Sequence, residues 1–567
     1  MQSCGTANGP ERRTDWDTAD WRKAQRLVRG LRQRLFRAAQ AGEHRKVRSL
    51  QKLMLRSYSN ILMSVRRVTQ VNAGKNTPGV DKLVVKTPQA RGRLVDELDT
   101  FQPWKSKPVR RVYIPKSNGK QRPLGIPTVM DRCLQAMVKN ALEPEWEAKF
   151  EGTSYGFRPG RGCHDAIAKI YVLARPHKRK KWILDADIKG AFDNISHDFL
   201  LKALGQVPGR ELIKQWLKAG VMEEGVFHET PLGTPQGGVI SPLLLNVALH
   251  GMEAALGVRH NAKGEISGER AMVRYADDFV VCCESREDAL RVKDVLLPPW
   301  LAERGLSLSE EKTRIVHLTE GFDFLGFNVR HHTAALTSRT GYKLLIRPSK
   351  KSVNGLREKM RDAWLKFKGH SVSAVLRKLN PIIRGWANYY RVGVAKEAFS
   401  KLDGWMHRRA VRYARSMHPK KPKYWLKRRY WGKLNKERDD NWVFGNKRSG
   451  HYLLKFSWFK IERHVLVKGT ASPDDASLQE YWWQRRKVNL RQLTSSDRLI
   501  AERQDWDCPI CRMALFNGEP LERHHRTART DGGSDSYSNR VLLHRYCHQQ
   551  ETAKWRKDRR CSAESLS

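Results

Sequence analysis

Apolar runs that are interrupted by adjacent carboxylates are the most informative pattern in this chain. Residues 272–283 read Met-Val-Arg-Tyr-Ala-Asp-Asp-Phe-Val-Val-Cys-Cys, with β-branched and aromatic residues on both sides of Asp277 and Asp278. Such flanks predict two short buried strands. Because neighbouring side chains on a strand point to opposite faces, the two carboxylates can converge only at a hairpin turn. A polar turn is the simplest interpretation of one Asp pair alone.

A second apolar run ends in the same way. Residues 182–192 read Trp-Ile-Leu-Asp-Ala-Asp-Ile-Lys-Gly-Ala-Phe, which predicts a buried strand followed by a turn and a helix. Two strands that each deliver an Asp to one edge could hold two hard divalent cations roughly 3.5–4 Å apart. In-line phosphoryl displacement uses this geometry.

Helical and hairpin patterns surround these two runs. Over residues 21–70 the apolar positions recur every three or four residues, and cations occupy much of the remaining surface. Strand-like residues on both sides of Asn118-Gly119 predict a two-stranded finger that carries Lys116 and Arg122. Residues 347–405 again have a helical pattern, and residues 468–477 have the composition of a linker.

Composition and charge favour a polyanionic partner. The 567 residues include 107 Lys and Arg against 59 Asp and Glu, which gives a formal net charge of +48. This length exceeds the ~250–300 residues at which single cores stop growing, so we expect several domains. A polymer of phosphates is the natural partner, although a membrane surface would also attract cations.

No membrane segment or targeting segment is expected. No stretch approaches the ~20 apolar residues that span a bilayer, and residues 1–20 lack the pattern of a signal or transit peptide. Nine cysteines without a disulfide-like framework favour a reducing compartment. We therefore expect a bacterial cytoplasmic protein, with an organelle as the less favoured location.

The carboxy-terminal part has the spacing of a metal site. Cys508-Pro-Ile-Cys511 alone could be a redox pair, but His544-Arg-Tyr-Cys547 supplies a second pair of ligands. Three thiolates and one imidazole predict a closed tetrahedral zinc site that holds a small module together. A purely structural zinc knuckle is the alternative to a module with catalytic function.

The two carboxylate runs resemble the motifs of a known polymerase family. Tyr275-Ala276-Asp277-Asp278 resembles the active-site box of reverse transcriptases, and Asp187-Ile188 resembles their first metal-binding Asp. Four more motifs agree: Arg122-Pro123-Leu124-Gly125-Ile126-Pro127, Ser154-Tyr155-Gly156-Phe157-Arg158-Pro159, Gly233-Thr234-Pro235-Gln236-Gly237-Gly238-Val239-Ile240-Ser241-Pro242 and Phe324-Leu325-Gly326-Phe327. Their order is similar to that in the multifunctional proteins encoded inside group II introns.

This resemblance implies a polymerase site with Mg²⁺ and deoxynucleoside triphosphates. It assigns the metal-binding and catalytic roles to the three carboxylates of Asp187, Asp277 and Asp278, and a further metal contact to the backbone carbonyl of Ile188. The residues that it implies for the incoming nucleotide are Lys116, Arg122, Phe192 and Gln236. Core packing for the Phe ring and loop support for the Gln side chain are the alternatives.

The helical segment beyond the polymerase motifs resembles the maturase region of the same family. Its signature here is the run from Asn380 to Arg391. Residues 401–436 then contain thirteen Lys or Arg and one acid, interleaved with aromatic residues. We expect contacts to RNA or DNA rather than a solvated face. The expected nucleic-acid-binding residues are Arg384, Trp386, Tyr390, Arg408, Arg409, Arg412, Lys427, Arg428 and Arg429.

The carboxy-terminal module resembles the HNH nucleases. By that resemblance His525 is the general base, Asn539 orients it, and His524 and His548 bind Mg²⁺ or a similar divalent ion. Many relatives carry another His four residues later, where this chain has Thr552. We therefore expect a site with one ligand fewer.

The resemblance implies a multidomain α+β fold: a right-hand polymerase with fingers and palm, a helical thumb and maturase domain, and a small zinc-containing ββα-metal HNH domain. The expected domains are a basic helical amino-terminal extension (1–70), fingers and palm (71–340), thumb and maturase domain (341–435), a DNA-binding region and linker (436–500) and the HNH endonuclease domain (501–567).

The implied function combines RNA-directed DNA polymerase, splicing maturase and DNA endonuclease. The endonuclease would nick target DNA to prime reverse transcription during intron mobility. The implied partners are group II intron RNA, target DNA and deoxynucleotides, with no membrane and with monomer and dimer both open. A reverse transcriptase recruited to host defence and a non-catalytic RNA-binding splicing cofactor are the alternatives.

Overall fold

The amino-terminal part of the computed structural model is helical. The structure describes residues 14–100, 104–115, 119, 121–261, 264–335, 340–435, 437–487, 493–517 and 519–564. The first helices are α1 (Trp21–Gln40), α2 (His44–Leu55), α3 (Tyr58–Arg66), a π-helical turn (Arg67–Val71), a 3-10 turn (Ala73–Asn76) and α4 (Pro88–Asp99). The Asp20 carboxylate caps α1 by accepting from the Lys23 N–H at 2.8 Å. The helical pattern expected over residues 21–70 is confirmed as three successive helices.

The fingers begin with the expected hairpin. The next elements are β1 (Val109–Pro115), β2 (Gln121–Ile126), α5 (Val129–Glu147) and α6 (Cys163–Leu173). β1 and β2 pair antiparallel, with Pro115 opposite Gln121. Their connection includes Lys116, which lies outside the described residues. The Thr128 hydroxyl caps α5 by accepting from the Asp131 N–H at 3.1 Å, and this cap fixes the residue at which the helix begins after the hairpin.

The palm is built on a four-stranded antiparallel sheet. The elements that follow along the chain are β3 (Trp182–Asp187), α7 (Ala191–Asn194), α8 (His197–Leu204), α9 (Arg210–Leu217), β4 (Val221–Glu223), β5 (Val226–His228), α10 (Ser241–Ala248), α11 (Met252–Ala255), β6 (Ala271–Tyr275), β7 (Asp278–Cys283), α12 (Arg286–Arg291), a π-helical turn (Val292–Leu296), α13 (Leu297–Ala302) and β8 (Arg314–His317). The palm strands follow the order β6-β7-β3-β8, and the finger strands follow β2-β1-β4-β5.

Both faces of the palm sheet are covered. Alternate residues of β7 enter two different apolar clusters: Val280 and Cys282 pack on one side, and Phe279 and Val281 on the other. This explains why the strand is apolar at successive positions rather than at alternate ones. A sheet that is fixed on both faces can hold carboxylates rigidly at its edge.

The thumb follows a second sheet. Its elements are β9 (Phe322–Phe324), β10 (Phe327–Thr333), β11 (Tyr342–Pro348), α14 (Lys350–Lys366), α15 (Val372–Tyr390), α16 (Lys396–Met417), α17 (Lys423–Tyr430), β12 (Trp431–Gly432), β13 (Val443–Asn446), β14 (His451–Tyr452), 3-10 turns (Phe456–Trp458 and Ala476–Leu478) and α18 (Gln479–Lys487). The boundary expected at 340 falls inside the β10–β11 hairpin, so the helical segment begins ten residues later, at Lys350.

The segment 468–477, expected as a linker, is packed against the amino-terminal helices. Asp474 is 6% exposed, and its two carboxylate oxygens accept from Arg32 at 2.8 and 2.7 Å. The same guanidinium donates to Glu143 at 2.9 Å. A connection of this kind fixes the distance between the elements that it joins.

The carboxy-terminal module has a ββα arrangement. Its elements are α19 (Ser495–Glu502), β15 (Leu521–His525), a 3-10 turn (Arg529–Asp531), β16 (Arg540–His544) and α20 (Arg545–Glu564). It shares an apolar cluster with α3, and a buried Arg66–Glu519 ion pair of 3.2 Å joins the two. Within the described ranges, the protein contains no helix with the length and apolar character needed to traverse a bilayer.

Candidate active sites

The three palm carboxylates meet at one end of the sheet. Asp187 ends β3 and lies directly opposite Asp278, the first residue of β7. Asp277 occupies the turn between β6 and β7, where Ala276 has a φ of 59°. The Ile188 N–H donates to the Asp277 carbonyl at 3.4 Å, which ties the turn to the end of β3. The hairpin that was expected from the sequence is therefore present.

The carboxylates disfavour one another's ionisation. Partial desolvation, a hydrogen bond to Asp187 and the charges of Asp277 and Asp187 raise the pKa of Asp278 to about 8, although its side chain reaches solvent. Desolvation also raises the pKa of Asp277. A divalent ion bound here would offset both the desolvation of the charged carboxylates and their mutual repulsion. The donor set of hard oxygens fits Mg²⁺.

A cation that the sequence interpretation missed already contacts this site. The Lys312 ammonium forms an ion pair with the Asp187 carboxylate. This hydrogen bond raises the pKa of Lys312. Lys312 lies before β8, outside the motifs that carry the resemblance, so only the pairing of β8 with β3 reveals the contact.

The residues expected at the nucleotide lie around the same sheet end. Arg122 is exposed on β2, and its charge lowers the pKa of Asp277 against the stronger effect of desolvation. Phe192 is 8% exposed, and its ring meets Phe157 edge to face at a centroid distance of 6.1 Å. The Gln236 amide donates to Asp193 at 3.0 Å. The burial of Phe192 agrees with both interpretations of its ring.

A buried polar chain supports the Asp277 turn from below. Arg274 is fully buried and donates to Asn246 at 3.0 Å, and Asn246 donates to the Gly156 carbonyl at 2.9 Å. A Cβ atom at Gly156 would lie 2.2 Å from the Ala276 nitrogen. The glycine of the Ser-Tyr-Gly-Phe-Arg-Pro motif is therefore required by contact with the active-site turn. Neither Asn246 nor Arg274 was singled out in the sequence.

The residues of the thumb that were expected to contact nucleic acid differ in their exposure to solvent. Tyr390 is 5% exposed, and Trp386 packs on it at a centroid distance of 4.3 Å, so both rings belong to the thumb core. Apolar packing covers Tyr390, whereas Trp386 is only half-buried, so the expected contact with nucleic acid stays a prediction for Trp386. The expected cations that remain exposed are Arg384, Arg408, Arg412, Lys427, Arg428 and Arg429. Arg409 is half-buried over the Trp405 ring, at 5.0 Å.

Four ligand atoms converge in the carboxy-terminal module. The ligand atoms of Cys508, Cys511, His544 and Cys547 all lie within 4.8 Å of one another, and all four residues are buried. A tetrahedral zinc ion with Zn–S bonds of ~2.3 Å would separate its ligands by about 3.8 Å. Burial opposes protonation of His544, but hydrogen bonds to Cys508 and Cys511 raise its pKa to about 10. The donor set fits zinc.

The nuclease residues occupy two faces of β15. His524 and His548 lie on one face, with ring centroids 5.1 Å apart, and the Glu522 carboxylate contacts His548 at 2.8 Å. Burial, followed by the neighbouring His charges, lowers the pKa of His524, which favours the neutral ring that binds metal ions. Thr552 bonds instead to the His548 carbonyl, at 2.8 Å.

His525 lies on the opposite face and contacts a carboxylate. Its Nε2 atom is 2.7 Å from Asp535 Oδ1. The hydrogen bonds of the Asn539 side chain go to the backbone of Thr527 and Ser534, so this residue holds the loop that carries Asp535. Sequence interpretation missed Glu522 and Asp535, because isolated acids in loops and strands give no pattern.

Four family models match successive parts of the chain. They are the N-terminal domain of reverse transcriptase (residues 16–98), Reverse transcriptase (RNA-dependent DNA polymerase) (114–329), the Group II intron, maturase-specific domain (353–431) and HNH endonuclease (508–554). The match at 353–431 covers α14 to α17.

The chain is also similar to individual proteins. The chain is 34% identical over 302 residues to Protein YkfC of Escherichia coli (strain K12), covering 47% of this chain and 79% of YkfC. It is 33% identical over 309 residues to the Group II intron-encoded protein LtrA of Lactococcus lactis subsp. cremoris, covering 44% of this chain and 50% of LtrA. The chain thus spans about half the length of LtrA. A telomerase structure from Candida albicans matches with a TM-score of 0.31 and 16% identity, over 55% of this chain and 58% of that one.

The fold and the two sites together define a reverse transcriptase joined to a maturase-specific domain and an HNH endonuclease domain. This is the domain composition of an RNA-directed DNA polymerase that also carries splicing and DNA-cleaving modules. The chain belongs to the family of group II intron-encoded proteins.

Proposed function

We propose that the chain copies RNA into DNA at the palm, assists splicing of a group II intron RNA through the thumb, and nicks target DNA with its carboxy-terminal module. The single observation that carries the polymerase proposal is the placement of Asp187 opposite Asp278, with Asp277 in the adjoining turn. Three carboxylates at one rigid edge suit two-metal nucleotidyl transfer.

Different residues of the palm and fingers bind the metal ions, the triphosphate and the sugar. Asp187, Asp277 and Asp278 would hold two Mg²⁺ ions, with the Ile188 carbonyl as a further ligand, and these ions would stabilise charge on the transferring phosphoryl group. Arg122 neutralises the triphosphate of the incoming nucleotide. Phe192 supports its sugar, which favours deoxynucleotides, and Gln236 holds the neighbouring loop. Lys116 lies outside the described residues, and its contact with the nucleotide remains part of the proposal.

In the nuclease, His525 removes a proton from the attacking water. Asp535 accepts from Nε2, which leaves Nδ1 unprotonated and available as the base. His524 and His548 would hold one divalent ion that stabilises the leaving oxygen, and Glu522 orients His548. Asn539 positions the base indirectly, by holding the Asp535 loop.

The zinc ligands have a separate task. Cys508, Cys511, His544 and Cys547 would bind a structural Zn²⁺ that joins the loop before β15, the end of β16 and the first turn of α20. Since these residues lie in the core that the module shares with α3, zinc would also fix the module on the amino-terminal helices.

The exposed cations of the thumb and α17 are the proposed RNA surface, and target DNA is the proposed substrate of the nuclease. Purifying the protein from its natural host and sequencing the RNA that accompanies it tests this assignment. We expect one dominant RNA with the fold of a group II intron that contains this coding sequence. A mixture of unrelated cellular RNAs would contradict the intron assignment.

A further inference from the structure

An open hollow lies beside the cationic helix α17. It has a volume of about 270 Å³ and is lined by residues of α16, α17 and the loop before β13. A second hollow of about 390 Å³ adjoins it and shares the side chains of His407, Trp431 and Trp442. The two therefore form one surface depression, which lies partly in the maturase-specific domain (residues 353–431) and partly in the residues that follow it, from Trp442 to Lys455.

Two aromatic rings of this depression are left open to solvent. Tyr424 is 75% exposed and Trp442 is 50% exposed, whereas the nearby Tyr413, Tyr430 and Trp431 are each 5% exposed. The burial of the latter three shows that this part of the chain can cover aromatic rings when they serve the core. Exposed rings beside a cationic helix suit stacking on a planar ligand.

The rim of the depression carries positive charge. Arg415, Lys423 and Lys427 line the 270 Å³ hollow, where no Asp or Glu is among the described lining residues. The adjoining hollow adds Lys455 and Asp403, whose carboxylate accepts from the backbone of Phe456 and Ser457. The Lys427 ammonium lies 4.3 Å from the centroid of the Trp442 ring. Aromatic faces next to cations that form no ion pair within the described part of the chain match the two components of a nucleotide, the base and its phosphate.

The floor contains one buried donor, and an exposed imidazole lies beside it. The Trp431 Nε1 donor is buried and finds no acceptor among the described residues. Buried donors are ordinarily paired, so this one suits an external acceptor. His407 lies 5.8 and 5.9 Å from the Trp431 and Trp442 rings, and burial lowers its pKa, as do the charges of Lys455 and Arg408. A neutral imidazole offers one donor and one acceptor.

We propose that this depression binds one unpaired base of an RNA strand, stacked on Trp442 and Tyr424, with its flanking phosphates neutralised by Lys423 and Lys427. RNA is the proposed occupant because α16 and α17 belong to the maturase-specific domain. The proposal thus rests on the proposed binding of intron RNA. It adds that recognition includes a flipped-out base in addition to backbone charge.

The full-length protein with Trp442→Ala and Tyr424→Ala, singly and together, tests the proposal. The probes are a 20-nucleotide oligo(U) RNA, an RNA duplex of the same length and a 20-nucleotide oligo(dT). Trp442→Phe keeps a ring, and Tyr342→Ala removes a 40%-exposed ring from β11 as the matched control. Affinities are measured over a series of salt concentrations, because stacking and phosphate contacts differ in their salt dependence.

We expect the double variant to bind oligo(U) about tenfold more weakly, with an unchanged slope of log affinity against log salt. Duplex binding should be unchanged, and Trp442→Phe and Tyr342→Ala should resemble the parent. The proposal is overturned if oligo(U) affinity stays at the parental value, if duplex binding falls equally, or if only oligo(dT) binding falls. A parent protein that fails to bind either RNA would instead contradict the proposed maturase function.

Discussion

Asp187 and Asp278 lie opposite each other on paired antiparallel strands, and a hydrogen bond between their carboxyls helps to raise the pKa of Asp278 to about 8. The sheet that holds them is covered on both faces, so the backbone keeps the two residues opposite each other. The palm therefore holds neighbouring carboxylates whose ionisation is unfavourable, and bound cations would make it more favourable.

This unfavourable ionisation makes stability depend on pH in the absence of metal. Because the folded pKa of Asp278 is raised above its unfolded value, its favourable contribution is complete below about pH 4 and is lost as pH rises to about 8. Asp278→Asn removes that titration. We therefore expect urea denaturation in EDTA to show the variant gaining stability relative to the parent between pH 5 and pH 8.

Magnesium supplies the control for this measurement. Saturating Mg²⁺ should stabilise the parent at pH 8 and reduce the advantage of Asp278→Asn. A stability difference that does not change with pH or with Mg²⁺ would show that the three carboxylates do not repel one another in the folded protein.

Gly156 gives a steric test of the support beneath the active-site turn. A Cβ atom at this position would lie 2.2 Å from the Ala276 nitrogen, so Gly156→Ala must displace the turn that carries Asp277. We expect cDNA synthesis to fall by at least about tenfold, since misplaced catalytic groups are costly. The matched control is Gly355→Ala in α14, where nothing lies within 4 Å of the added atom. Equal activity of the two variants in a primer-extension assay would contradict this account.

The sequence predicted the hairpin of the palm because its motif is local. Asp277 and its flanking strands form one continuous hairpin, so alternation and turn residues were enough to place the carboxylate. Pairing with Asp187 followed from the resemblance to reverse transcriptases. Lys312 and Arg274 could not be predicted in this way, because their roles depend on which distant strand or helix packs beside them.

In the thumb, the sequence did not show which aromatic rings are buried. Alternating aromatics and cations suggested a surface for bases, but the helical period turns most of those rings inward: Tyr390, Tyr413 and Tyr430 are each 5% exposed. Cations on the same helices remain outside. Composition therefore identified the charged surface, whereas only three-dimensional packing separated the core rings from the exposed Tyr424.

The exposed cations of α17 should bind phosphates. Each phosphate contact that is lost lowers the slope of log affinity against log salt by about 0.7–0.9. Replacing Lys427, Arg428 and Arg429 by Gln should therefore weaken RNA binding and lower the slope by roughly 2–3, as measured by filter binding. An unchanged slope would identify the helix as an ordinary solvated surface.

Two variants of the carboxy-terminal module should distinguish residues that hold its fold from residues that cleave DNA. Cys511→Ser removes a ligand of the buried cluster, so we expect loss of zinc, protease sensitivity of the module and loss of DNA cleavage. His525→Ala should keep zinc and protease resistance and still stop cleavage, because it removes only the base. Both variants should copy an artificially primed RNA normally. Zinc content, limited proteolysis and a nicking assay decide between these outcomes.

Asp535→Asn addresses how His525 is positioned. We expect nicking to fall by about 10–100-fold with zinc retained, because the amide no longer fixes the His tautomer as a carboxylate does. Asp535→Glu should restore part of the rate, and Ser536→Ala in the same loop should behave like the parent. Parental nicking by Asp535→Asn would remove this residue from the site.

The most direct test of the central claim is primer extension on an RNA template in Mg²⁺ by the Asp277→Asn variant. The substitution keeps the size of the side chain and removes one charge from the proposed metal site. We expect cDNA synthesis to fall by on the order of 10²–10³-fold or more, with RNA binding unchanged and with His525→Ala extending primers at the parental rate. Extension by Asp277→Asn at the parental rate would contradict the assignment of the palm carboxylates.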